Sequence, residues 1–205
     1  MRVSRVELNK PPITTIASGC EMTGLNVEKD CLVEIAVVVT DSELNVLDPG
    51  LDLVIKPNPE SLANMGDFVT EMHTTSGLIN EFDEGHDLAT AERMVLEYIQ
   101  RWVTDPRQAP LAGNSIGTDR MFINRYMPTL DSFLHYRNID VSSIKELTRR
   151  WFPKVYFQLP KKDGGHRALA DILESIKELK YYRKTVIVEQ PGPTTEESKA
   201  AAESL

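Results

Sequence analysis

The sequence predicts an α/β chain in which a mixed β-sheet is flanked by α-helices, and three observations carry that prediction. Apolar, β-branched runs crowd residues 13–56; helical periodicity takes over from residue 88; and two short apolar pieces further on each precede another helical pattern. The resulting order, βββαβαβα, places strands first and interleaves helices afterwards, which favours one mixed sheet with helices on its faces.

The elements follow in order. Residues 13–20 (ITTIASGC) and 31–40 (CLVEIAVVVT) are rich in β-branched side chains, and 51–56 (LDLVIK) alternates. Gly24, Asn26, Asp48, Pro49 and Gly50 punctuate them, so three strands in meander order are expected. Leu88, Ala91, Val95, Ile99 and Trp102 lay one apolar stripe along a helix of about four turns. The pieces 109–112 (APLA) and 138–141 (NIDV) read as strands. The first leads to a helix over about 118–127 with Phe122, Ile123 and Tyr126 inward. The second leads to a helix starting at Ser143, whose spacing to Glu146 makes a capping box ahead of Leu147 and Trp151. A last helix, about 167–183, carries Leu169, Ile172, Leu173, Ile176 and Leu179.

The 205 residues hold 23 basic and 31 acidic side chains, a net charge of −8. The length suffices for a sizeable core, and the composition excludes collagen-like, coiled-coil and wholly disordered chains. The division expected is an N-terminal extension over 1–12, one domain over 13–188 and a flexible acidic tail over 189–205, whose Pro, Gly, Ser, Thr and Glu leave little to bury. Charge is uneven: residues 20–110 hold 18 acids against 5 bases, and residues 145–184 hold 11 bases against 5 acids. Cys20 and Cys31 sit in no CxxC or Cys/His cluster, which points to free thiols. No apolar run is long enough to span a bilayer and the first residues lack the apolar core of a secretory signal, so a cytosolic protein is expected.

Acids stand where a core should be. Glu21 closes a hydrophobic strand, Asp119 follows GNSIGT, and Asp171 lies on the last helix five residues after His166. Singly, each has a plain structural explanation: a strand-end pairing, a helix-dipole contact, a solvated helix face, a surface-loop histidine. Jointly, three carboxylates and a histidine from separate elements of one sheet are the materials for a divalent-cation site that hydrolyses phosphodiesters, with the histidine as general base.

The stretches CEMTGL (20–25), MHTTSGL (72–78), AGNSIGTDRMF (112–122), RYMPTLDSFLHYRNIDVSSIKELTRRW (125–151) and HRALADILESIKELKYYR (166–183) resemble oligoribonuclease, the short-substrate branch of the DEDDh 3′–5′ exonucleases. The likeness covers nearly all of 13–188. It implies a ribonuclease-H-like fold, a homodimer, two divalent cations (Mg²⁺ or Mn²⁺), and cleavage of very short RNA, chiefly dinucleotides, to 5′-mononucleotides. It further implies that Glu21, Asp119 and Asp171 bind metal and that His166 is the general base. By the same likeness Leu25 wedges beneath the bases and Phe68 stacks on one of them. His73, Ser115 and Arg137 would hold the 5′-terminal phosphate, and Tyr136 would reach the other subunit's site. Such an enclosed phosphate makes the site measure length, not sequence, and a two-nucleotide substrate needs no strongly basic protein.

One position departs from the family pattern. An Asp is expected two residues before the Glu, on the same strand face, and Gly19 stands there. Weak metal binding and slow turnover are the expectation. Two other readings stay open: a noncatalytic dinucleotide-binding protein, and an exonuclease acting on longer strands.

Overall fold

The computed structural model of the chain describes residues 14–161 and 165–205, so the extension expected over 1–12 and part of the loop before His166 lie outside the described residues. Five strands form one sheet: β1 (Thr15–Met22), β2 (Leu32–Thr40), β3 (Leu51–Val54), β4 (Leu111–Gly113) and β5 (Asn138–Asp140), in the order β3-β2-β1-β4-β5. The first three are antiparallel neighbours; β4 and β5 add in parallel beside β1. The predicted mixed sheet is therefore present.

β2 is buried along its whole length because helices cover both faces. Its alternate residues separate two cores. Ile35, Val37 and Val39 pack with Ile16 against α3 (Leu88–Gln100) and α4 (Ile116–Tyr126), where Val95, Ile99, Phe122 and Ile123 are fully buried. Ala36 and Val38 join Ala17 beneath the long helix α8 (Ala168–Thr185), meeting Ala168, Ile172 and Ile176. Small residues on this second face let the helix lie close to the sheet.

Between β3 and α3 the chain makes α1 (Pro59–Ala63), α2 (Asp67–Thr75) and a 3-10 helix (Leu78–Glu84). α5 (Pro128–Phe133) follows α4; α6 (Val141–Trp151) and α7 (Pro153–Tyr156) follow β5. None of these short pieces except α6 was predicted. α6 also starts two residues earlier than expected, and Asp140, not Ser143, is its N-cap: the Asp140 carboxylate accepts from Ser142 N and Ser143 Oγ. Glu146 instead pairs with Arg150 one turn on, and Leu147 and Trp151 are exposed. The tail forms a short helix, α9 (Thr195–Glu203), with a Thr194/Glu197 capping box and no buried side chain. Cys20 and Cys31 are free thiols, and among the described residues no helix is long and apolar enough to cross a membrane.

Candidate active site

Beyond the last β1–β4 pair, Ala17 with Ala112, a cavity of about 280 Å³ lies between β1, the start of α4 and the first turns of α8. Glu21, Asp119, Asp171 and His166 all line it, although they come from three separate stretches of chain. The sequence-predicted quartet is thus brought to one place. Asn114, Ser175, Glu174 and Ser18 complete the polar lining; these the sequence reasoning missed, although Asn114 stands directly after a strand in AGNS, a position from which a side chain faces the sheet end.

Each member is held differently. Glu21, next to last in β1, has only 9% of its surface exposed; burial, then the negative charges of Asp171, Glu34 and Asp119, push its pKa up to about 8. Asp119 sits in the first turn of α4, and its Oδ1 accepts from Cys20 N at 2.7 Å, which ties that helix to β1. Burial raises its pKa to about 7, against the lowering effect of the Cys20 hydrogen bond. Asp171 lies in the first turn of α8. His166 is exposed in the approach to that helix, in the left-handed region at φ 46°. Cys20, between the acids, has its thiol pKa pushed well up by burial and by Asp119, so it offers no thiolate.

Gly19 occupies the position of the expected fourth acid. A Cβ there would stand 3.0 Å from the Ala168 carbonyl oxygen and 3.3 Å from Ile172 Cγ1. The first turn of α8 rests on this glycine and would have to give by a few tenths of an ångström to admit a side chain.

The donor set is all oxygen, of the kind hard divalent cations prefer. Two acids that burial drives toward protonation would release those protons to a cation, and Ser18 Oγ is buried in the same wall without a hydrogen-bond partner among the described residues. The chemistry fits a divalent ion held by Glu21, Asp119 and Asp171. Among the described residues, however, no group of three or more His, Cys, Asp or Glu side chains is already arranged to hold one, so binding requires side-chain adjustment.

The remaining candidates divide. Leu25 and Phe68 are 74% and 77% exposed. The loop bearing Leu25 wraps around the Asp30 carboxylate, which accepts from Asn26 N and Thr23 Oγ1 and approaches Gly24 so closely that a Cβ there would lie 2.5 Å from Asp30 Oδ2. Ser115 begins α4 at φ 53°, its N–H donating to Asp140 and Ser142. Tyr136 and Arg137 are exposed neighbours, the tyrosine stacked on His135 and the guanidinium 5.3 Å from the tyrosine ring. His73 is not brought to the surface. It faces inward from α2, fully buried, its Nε2 donating to the Met22 carbonyl at 2.9 Å and its ring edge-on to Phe82. As placed, it braces the end of β1.

Comparisons agree with this geometry. The sequence model of the exonuclease family (RNase T) matches residues 19–179. The chain is 66% identical to an oligoribonuclease of Leifsonia xyli over 91% of its own length and 90% of the relative's. It is 57% identical to one of Streptomyces coelicolor over 89% and 92%, and 59% identical to one of Mycobacterium tuberculosis over 91% and 87%. Among solved structures, exonuclease I of E. coli in complex with an oligonucleotide superposes with a TM-score of 0.61 at 18% identity, covering 85% of this chain and 41% of that one. Exonuclease I of Methylocaldum szegediense gives 0.60, also at 18% identity, with 84% and 41% covered. At that identity the likeness is one of fold, the ribonuclease-H-like mixed sheet with flanking helices, whereas the curated relatives match nearly end to end. The chain belongs to the oligoribonuclease family of exonucleases.

Proposed function

We propose that this chain is a 3′–5′ exoribonuclease that hydrolyses short oligoribonucleotides, chiefly dinucleotides, to 5′-mononucleotides with the help of two divalent cations, Mg²⁺ or Mn²⁺, and that Gly19 slows it. The observation that carries the reading is the convergence of Glu21, Asp119, Asp171 and His166 on one cavity, in a chain of this family. Glu21, Asp119 and Asp171 hold the cations, and a bound cation supplies charge neutralisation at the scissile phosphate and a more acidic water. His166, on the exposed lip of the cavity, accepts the proton of the attacking water. Leu25 and Phe68 give the bases an apolar surface and a ring to stack on. Ser115 and Arg137 hold the 5′ phosphate. His73, being buried, supports the β1 end from behind instead. A homodimer in which Tyr136 reaches the partner's site accords with the 70% exposure of that side chain.

The test is hydrolysis of a 5′-phosphorylated diribonucleotide with Mn²⁺, comparing the chain as it stands with Gly19→Asp. Gly19→Asp should raise kcat at least tenfold. Equal rates for the two would sink the assigned metal site. A second reading has one observation in its favour, the turn of α8 resting on Gly19: a dinucleotide-binding protein that has lost chemistry. Micromolar dinucleotide binding without turnover in either chain supports that alternative.

A further inference from the structure

Glu34 stands inside β2, directly opposite Glu21 in the antiparallel register, and its side chain is wholly buried. A buried carboxylate persists only where its oxygens are satisfied. Both are: Oε1 accepts from Arg167 Nε at 2.6 Å, and Oε2 accepts from Ala168 N at 2.7 Å. Ala168 N belongs to the first turn of α8, where the N–H groups have no partner within the helix. The local N-cap residue, Arg167, makes no side-chain cap. The cap comes instead from a strand 134 positions away in sequence. Arg167 then reaches on to Glu81 of the 3-10 helix, with Nη1 and Nη2 at 2.8 and 3.2 Å from its two carboxylate oxygens. Sheet, 3-10 helix and α8 are fastened at one guanidinium.

The fastening lies between two groups of the cavity. His166 immediately precedes Arg167, and Asp171 N donates to Arg167 O in the first turn. On the sheet side, the same turn is laid on Gly19. We propose that Glu34 and Arg167 are positioning residues of the cavity: they fix the first turn of α8, and with it His166 and Asp171, at a set height over Glu21. The proposal rests on the exoribonuclease reading for its purpose, but its geometry is independent of it. The competing role for Glu34, a metal-ligating acid that replaces the one missing at Gly19, fits less well because both of its oxygens are engaged in charge-assisted or backbone hydrogen bonds.

The two roles predict opposite signs for Arg167→Met. Mn²⁺ affinity is measured on the full chain by electron paramagnetic resonance, alongside hydrogen exchange of the peptide over 165–172, for Glu34→Gln, Arg167→Met, Arg167→Lys and a control, Ile176→Ala, on the same helix outside the cavity. Positioning predicts that Glu34→Gln and Arg167→Met each weaken Mn²⁺ binding at least tenfold and speed exchange over 168–172 at least tenfold. Arg167→Lys should recover most of the affinity, and Ile176→Ala should lower Tm yet leave affinity within twofold. If Glu34→Gln does not fold, the two Arg167 variants decide. Tighter Mn²⁺ binding in Arg167→Met would free Glu34 as a ligand and overturn the proposal. Unchanged affinity, an equal loss in Ile176→Ala, or a parent chain that binds no Mn²⁺ would overturn it too. A parent that binds Mn²⁺ but cleaves no dinucleotide defeats the exoribonuclease reading alone and leaves the fastening to be scored by affinity and exchange.

Discussion

Glu21 and Asp119 each carry an electrostatic cost in the site, and that cost has a measurable sign. Their ordinary values are 4.5 and 3.8; folding raises them to about 8 and about 7. A carboxyl whose folded pKa is raised binds more protons in the native state than in the unfolded one, so stability falls as pH rises through the interval between the two values. The stabilisation is full below about pH 4 and gone above about pH 8. In a chelator, calorimetric Tm should therefore drop between pH 5 and pH 8. Mn²⁺ should flatten the drop by taking the place of the protons, and Glu21→Gln should remove much of it. A Tm that rises over that interval without metal would show that the acids are not packed together as described. At this scale much was readable beforehand: all four catalytic candidates are polar residues at the ends of recognisable elements. Glu34 was equally visible as the one charge in the run CLVEIAVVV, but its role was not, because its partners lie 133 and 134 residues away.

At the scale of elements, Asp140 joins three pieces. It caps α6 through Ser142 N, accepts from Ser143 Oγ, and accepts from Ser115 N at the start of α4. Replacing a capping Asp by Ala costs about 1–2 kcal/mol, and Asp140→Ala should lose that much in urea unfolding. Ser143→Ala, which removes only a hydroxyl within the first turn, should stay within about 0.5 kcal/mol. The opposite ranking would restore the Ser143/Glu146 box that the spacing suggested. The reason for the misreading is local: Asp140, Ser142 and Ser143 are all good cap formers, and only the end of β5 at Asp140 decides among them. Strands β1 and β2 and helices α3, α4 and α8 were legible from long apolar runs or stripes. α1, α2, α5 and α7 were not, because four to nine residues offer too little periodicity and their start signals, Asn58, Gly66 or a proline, also mark turns. His73 belongs to this class. The family likeness implied a phosphate-holding group there, whereas its burial follows from which side of the short α2 faces Phe82.

For the molecule as a whole, the strongest consequence concerns assembly. Tyr136 and Met121 are exposed large side chains around the shallow hollow that Arg120, Asn124 and Asp131 line, with Arg137 beside the tyrosine. If two copies meet on this face and each tyrosine completes the other copy's cavity, a subunit lacking Tyr136 spoils its partner and not itself. Tyr136→Ala and Asp171→Asn should then each be inactive as homodimers yet complement one another. In a dimer with one subunit of each kind, the Tyr136→Ala subunit keeps Asp171 and receives an intact tyrosine, while the other site lacks both. Random exchange of equal amounts makes half of the dimers mixed, with one good site in two, so activity should return to about a quarter of the parent value. The assay is dinucleotide hydrolysis after subunit exchange, made in the Gly19→Asp chain so that the signal is ample, with sedimentation to establish the dimer. Recovery near zero with a normal dimer would place Tyr136 in its own subunit's site, and a monomeric parent would remove the cross-subunit role altogether.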